Sequence, residues 1–165
     1  MSVDTKRVEG RRDIQYSSFD EFLEDARRLA EIPHRTVGNW SYGQILHHLT
    51  LSLHGSIDGF GYSDFWLVRL LASIFFKKKM LESGMPPGDK IAKKMQRLEP
   101  HEIPVDDAIE QLAIAVERFK INPKRAPSPI FGKLAPTEAN QLQLRHAELH
   151  MSFVHAVDGP ASSGS

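Results

Sequence analysis

The sequence predicts an all-α domain built as a helical bundle. Two helix-start signatures, Ser18-x-x-Glu21 and Ser41-x-x-Gln44, each precede apolar residues recurring at three- and four-residue spacing. Clusters of Pro and Gly separate these runs from one another. No segment shows a sustained alternation of apolar and polar residues, so no strand is expected. A globin-like packing is the alternative all-α arrangement, and it calls for more and shorter helices.

The first helix follows Ser18, carries Phe19, Phe22, Leu23, Ala26, Leu29 and Ala30 on one face, and stops at Pro33. The second opens at Ser41 with Ile45, Leu46, Leu49, Leu53 and Ile57 on its apolar side, and Gly59 and Gly61 end it. Ser63-Asp64 starts a third, which Gly84 terminates. Its stretch Phe65 to Phe76 is apolar nearly all round, so it is expected to be central or covered by another subunit. The short connection before it predicts that the second and third helices are antiparallel neighbours.

Met85-Pro86-Pro87-Gly88 reads as a loop, and Asp89 to Pro104 lacks a clean period beyond a short helical turn. Pro104 suits a first helical turn, Asp106 and Asp107 suit its dipole, and Ala108, Ile109, Leu112, Ala113, Val116 and Phe119 form the stripe. A Pro-rich connection, Asn122 to Ala135, leads to a last helix from Pro136 to about Val157. Residues 1–158 are expected to form one domain, with 159–165 a disordered Gly/Ser tail.

Composition narrows the function classes. The 21 Lys+Arg balance 21 Asp+Glu, which argues against a polyanion binder. The basic clusters Lys77-Lys78-Lys79 and Lys93-Lys94 read as solvated faces, so no nucleic-acid role is expected. The apolar run is interrupted by Arg69 and falls short of the roughly 20 residues that span a bilayer. No targeting segment is visible at Met1 to Arg12, and a cytoplasmic protein without membrane association is expected. The chain has no Cys, hence no disulfide, thiolate nucleophile or Cys-based zinc site.

It does have 8 His. His146 and His150 are four apart on the last helix, one turn above each other on one face. Leu142, His146, Leu149, Phe153 and Val157 form an inward stripe, so His146 lies on the core side with His150 beside it. Two imidazoles aimed into a bundle need polar partners, and a metal ion is one; ordinary hydrogen bonds are the other reading. Glu148 projects about 200° from His146 and reads as a solvated charge. On the second helix His48 sits closest to the apolar face and is the best inward ligand. His47 and His54 share a lateral face, with His47 expected to be exposed or to support the site from behind. His34, His101 and His155 read as surface histidines.

These segments together carry a resemblance. Gly38-Asn39-Trp40-Ser41-Tyr42-Gly43-Gln44-Ile45-Leu46-His47-His48-Leu49 and the late Arg145 to Phe153 resemble the DinB/YfiT-like superfamily of metal-dependent proteins. The loop Pro129 to Leu134 is similar to a bacterial branch of it classed as a domain of unknown function. The resemblance spans roughly Arg11 to Ala156 and implies a DinB-like four-helix bundle, up-down-down-up. It also implies a divalent metal, nickel or zinc, held by three histidines, which map onto His48, His146 and His150, and it implies a homodimer. Characterised relatives of this kind include thiol-dependent S-transferases and a thiol-dependent isomerase.

Three neutral imidazoles leave coordination positions open, which suits a catalytic site. A Cys-free chain would then work with a sulfur supplied by a small-molecule thiol cosubstrate. Metal-dependent hydrolysis is the second reading, but it wants a general base, and Asp58 lies about 80° from His48 in helical projection. A non-catalytic metal-stabilised binding module is the third. Gln44, His47, Ser52 and Tyr42 are candidates to line the site, with capping or packing as their alternative roles. Trp40, just before the Ser41 cap, reads as a hydrophobic staple, and Trp66 as a core or interface residue. In a dimer, the surplus apolar surface around Phe65, Leu67, Leu71, Phe75 and Phe76 is the expected contact.

Overall fold

A computed structural model describes residues 3–87 and 93–157. The expected tail at 159–165 and the start of the Asp89 to Pro104 stretch lie outside the described residues. What is described is mostly helical, in the order α1 (Phe19–Ala30), β1 (His34–Thr36), α2 (Tyr42–Asp58), α3 (Trp66–Phe75), α4 (Lys77–Ser83), α5 (Val105–Ile121), α6 (Pro136–Met151) and β2 (Val154–Ala156). A 3-10 turn, Lys93–Leu98, precedes α5.

Local chemistry accounts for the helix starts. Ser41 Oγ accepts the Gln44 N–H while the Gln44 side chain accepts the Ser41 N–H, a complete capping box. At α1 only half of the expected box forms. Ser18 Oγ accepts the Glu21 N–H at 3.1 Å, but the Glu21 carboxylate reaches one residue further back, to the N–H and Oγ of Ser17. Pro104 is the cap of α5 rather than its first helical residue, and Asp106 and Asp107 do occupy the first turn. Gly59 ends α2 at φ 100°, a conformation that side-chain-bearing residues rarely adopt.

Several expectations are corrected. The third helix is broken: Phe76, at φ −117°, separates α3 from α4, and Gly84 closes α4. α3 is not central: it rests on α4 with its large apolar side chains exposed, and Trp66 is exposed rather than in the core. The last helix stops at Met151 instead of Val157. Beyond it, Val154–Ala156 pairs antiparallel with His34–Thr36, placing Val154 opposite Thr36 and Ala156 opposite His34. Three-residue strands are too short to print an alternation on the sequence, which is why neither was legible. His34 and His155 accordingly sit in strands, not in loops or helix.

The packing is set by the stripes. α2 lies against α5 and α6, and α1 lies against the same two helices; the expected pairing of α2 with α3 gives way to these contacts. Phe22, Leu29, Leu46, Leu112, Phe119 and Met151 are fully buried where the helices meet. Each such side chain contributes about 1.5–3 kcal/mol relative to exposure. α4 docks on α6, and α3 rests on α4. Among the described residues, no helix is long and apolar enough to cross a membrane.

One close approach positions the site. Gly43, in the first turn of α2, faces the Ile103 carbonyl, and a Cβ there would collide with its oxygen. The missing side chain lets the segment entering α5 lie directly on α2. That brings Leu98, at the end of the 3-10 turn, over His48.

Candidate metal centre

His48 comes from the middle of α2, and His146 and His150 from successive turns of α6. The α2–α6 contact brings them together. His146 Nε2 lies 3.2 Å from His48 Nε2 and 3.0 Å from His150 Nε2. One ring nitrogen from each residue falls within 4.8 Å of the others. His48 is buried, while His146 and His150 are half-buried.

The hydrogen bonding fixes which nitrogen is available. His48 Nδ1 donates to the Leu98 carbonyl oxygen at 2.6 Å, so in the neutral ring its Nε2 carries a lone pair. His146 Nε2 faces two other Nε2 atoms and, with one hydrogen at most, can satisfy only one of them. Ordinary imidazole hydrogen bonds therefore leave at least one lone-pair contact uncompensated in this cluster. A cation between the three nitrogens resolves it. Zinc–imidazole bonds of about 2.0–2.1 Å in a tetrahedron separate ligand nitrogens by about 3.3 Å, close to the two separations from His146. The triad could thus hold a metal ion, and three imidazoles suit a borderline ion better than magnesium or calcium.

The electrostatics favour neutral rings. Burial pushes the His48 imidazole down to about 4, against a smaller opposing effect of its bond to Leu98. Burial, then the neighbouring His48, takes His146 to about 3. His150 falls well below the ordinary imidazole range for the same reasons. Neutral imidazoles are the metal-binding form. In the apoprotein this also predicts a pH dependence. Below an unfolded pKa of about 6.5 the unfolded chain binds protons that the native rings refuse, so stability falls as pH drops from about 6.5 toward 4. Between pH 7.5 and 5 the loss is about 2 kcal/mol for each histidine held neutral. Urea unfolding of chelator-treated protein at the two pH values measures it, and His48→Gln should reduce the difference by about one third, the share of one of the three rings.

Several residues take roles that differ from those expected. Glu148 is not solvated: it is buried, accepts the Tyr16 N–H at 2.7 Å and pairs with buried Arg145 at 2.9 Å. It does point away from the triad, but that side of α6 is covered by the N-terminal segment. Burial raises the Glu148 carboxyl pKa, although the Tyr16 N–H and Arg145 oppose this. His47 is buried rather than exposed, lying under His101 at 4.0 Å between ring centres, and it stands outside the triad. Arg118 meets His54 Nδ1 at 2.9 Å and grips Asp58 with two bonds of 2.7 Å, removing both from consideration.

Of the proposed lining residues, Gln44 is engaged in the cap and Tyr42 donates its hydroxyl to the Ala26 carbonyl. Ser52 sits one turn along α2 from His48 and donates to Gln143 across the α2–α6 contact. Trp40 is more than a staple. Its ring stacks on His150 at 17° and 5.4 Å, and its centre lies 4.9 Å from that of His48. Its place beside the cap of the helix bearing His48 was the available signal. The Leu98 carbonyl had none, because backbone atoms leave no mark on a sequence.

A family model described as a protein of unknown function, DUF1569, matches residues 8–157. The chain belongs to that family. No curated protein and no solved structure matches it. The DUF1569 match takes in all three histidines, the Trp40 wall and the Arg145–Glu148 pair.

Proposed function

We propose that this DUF1569 chain is a divalent-metal-binding protein that uses a nickel or zinc ion, held by His48, His146 and His150, to act with a small-molecule thiol. The observation that carries the reading is the convergence of three imidazole nitrogens, one of them fixed as a lone pair by the Leu98 carbonyl. Three protein ligands leave a coordination position open for a thiol or water. A divalent ion in such a site supplies Lewis acidity, lowering the pKa of a coordinated thiol or water. The chain's own residues hold the site in shape: Leu98 orients His48, and Trp40 covers His48 and His150 and excludes water from that side.

The contacts of α1, α2, α5 and α6 with one another are compatible with an up-down-down-up four-helix bundle. Together with the triad they support membership of the wider DinB/YfiT-like superfamily. A thiol role is favoured over hydrolysis because the acids nearest in sequence to the ligands are spent elsewhere. Glu148 binds Arg145 and the Tyr16 amide, and Asp58 binds Arg118. With no Cys in the chain, the sulfur must come from outside.

The test is a screen of metal-reconstituted protein for addition of small thiols to electrophiles, run beside ester and amide hydrolysis. Thiol consumption that disappears with chelation supports the proposal. Metal-dependent hydrolysis without added thiol replaces it with the hydrolase reading. A bound ion whose coordination sphere is filled by protein, with neither activity, leaves a metal-stabilised binding module.

A further inference from the structure

The seam between α2 and α6 is polar beyond the histidines. On α2, His48, Ser52 and Ser56 follow at four-residue intervals, and on α6 Gln143 lies one turn before His146. Ser52, Ser56 and Gln143 are all buried. Their hydrogen bonds close on one another. The Ser56 hydroxyl donates to the Ser52 carbonyl at 2.9 Å, which leaves its oxygen to accept Gln143 Nε2 at 2.7 Å. The other end of the amide, Oε1, accepts the Ser52 hydroxyl at 3.1 Å. One side chain of α6 therefore grips two successive turns of α2, and the direction of the Ser56 bond fixes which way its amide faces.

We propose that Gln143 is a positioning residue: through Ser52 and Ser56 it sets the axial register of α6 on α2, and with it the meeting of His48 with His146 and His150. Its effect on metal affinity rests on the metal-binding reading of the triad; its effect on the contact between the rings does not. Packing alone does not call for these groups. Serine inside a helix is less favourable than alanine, and a buried polar side chain is costly unless paired. Apolar side chains in the same places would fill the seam but have no direction, so they would hold the two helices less strictly against sliding.

Register is the freedom that the rest of the site leaves open. The Leu98 carbonyl orients the His48 ring, and the pitch of α6 places His150 one turn from His146. How far along α2 that pair sits is set by neither. A slip of one turn moves α6 by about 5.4 Å and takes the Gln143 amide away from its partners. The same slip separates His48 Nε2 from His146 Nε2, now 3.2 Å apart. Fixing register is the best-attested use of a single buried polar residue between helices.

Gln143→Met tests this. It removes both amide bonds at nearly constant side-chain length, and Ser52 can then bond a carbonyl of its own helix as Ser56 does, so the variant is expected to fold. In metal-free wild type the His48 and His146 ring centres are 5.1 Å apart, so their carbon-bound protons should show a nuclear Overhauser contact by NMR. Gln143→Met is expected to lose it. Titration with cobalt(II) should show an affinity lower by about 10-fold and an altered visible spectrum at saturation. Val116→Ala is the control: it opens a cavity on α5, which carries neither a triad histidine nor a seam residue, and it should lower stability while leaving the ring contact, the affinity and the spectrum unchanged. A Gln143→Met protein that matches wild type in ring contact and cobalt binding, or an equal loss in Val116→Ala, would overturn the proposal. Wild type that binds no cobalt would end the metal-binding reading instead, and the ring contact in Gln143→Met then decides the role of Gln143 by itself.

Discussion

Replacing His48, His146 and His150 together by Ala is expected to abolish bound metal in a protein that otherwise carries about one divalent ion per chain. Elemental analysis of purified, metal-reconstituted protein measures it. Each single change should weaken binding by at least 10-fold, since an open three-ligand site has no spare donor. His47→Ala should keep the ion, because that ring packs under His101 and takes no part in the cluster. The pair of neighbours on α2 is thus the sharpest comparison, with size and burial alike and position different. Full occupancy in the triple variant, or equal loss from His47→Ala and His48→Ala, would sink the assignment. Metal should also raise the unfolding midpoint of the wild type and not of the triple variant, because an ion bound only by the native state stabilises it by mass action.

Arg145→Ala is expected to be strongly destabilising, by about 3–5 kcal/mol, although the residue touches no histidine ring of the triad. Arg145 and Glu148 are both buried and 2.9 Å apart on one face of α6. Between them they clamp one residue of the N-terminal segment: Arg145 Nη2 donates to the Tyr16 carbonyl at 3.1 Å, and Glu148 accepts the Tyr16 N–H at 2.7 Å. The Tyr16 hydroxyl donates to Asp25, which also receives Arg12 and Arg28, tying the segment to α1. Removing Arg145 leaves Glu148 charged and unpaired in a site that already raises its pKa by burial. The double change Arg145→Met with Glu148→Leu should recover part of the loss, because no buried charge is stranded. Urea unfolding of the three proteins checks this. A loss below about 1 kcal/mol for Arg145→Ala would show that the pair is effectively solvated.

The two expectations concern opposite faces of the same helix, and this explains what could be read in advance. The four-residue spacing of His146 and His150 is a local property: it needs only the pitch of an α-helix. The position of His48 among Ile45 and Leu49 is local in the same sense, and both placements hold in the structure. Glu148 departs from its expected solvated place for the complementary reason. Periodicity says that it points away from the triad, but not that Tyr16, distant in sequence, would lie there and pair with it.

By itself, then, the sequence determined the helical elements with strong caps or stripes, the three histidines that converge and the absence of an internal thiol. These depend on hydrogen bonds and spacings within a few residues. Only the tertiary structure decided that the last helix stops for a strand, that Leu98 orients His48, that Trp40 covers the triad and that α3 turns its apolar side outward. Each of these is a contact between segments far apart in the chain, or the lack of one. Such contacts form through the close packing of whole surfaces, which no local pattern encodes.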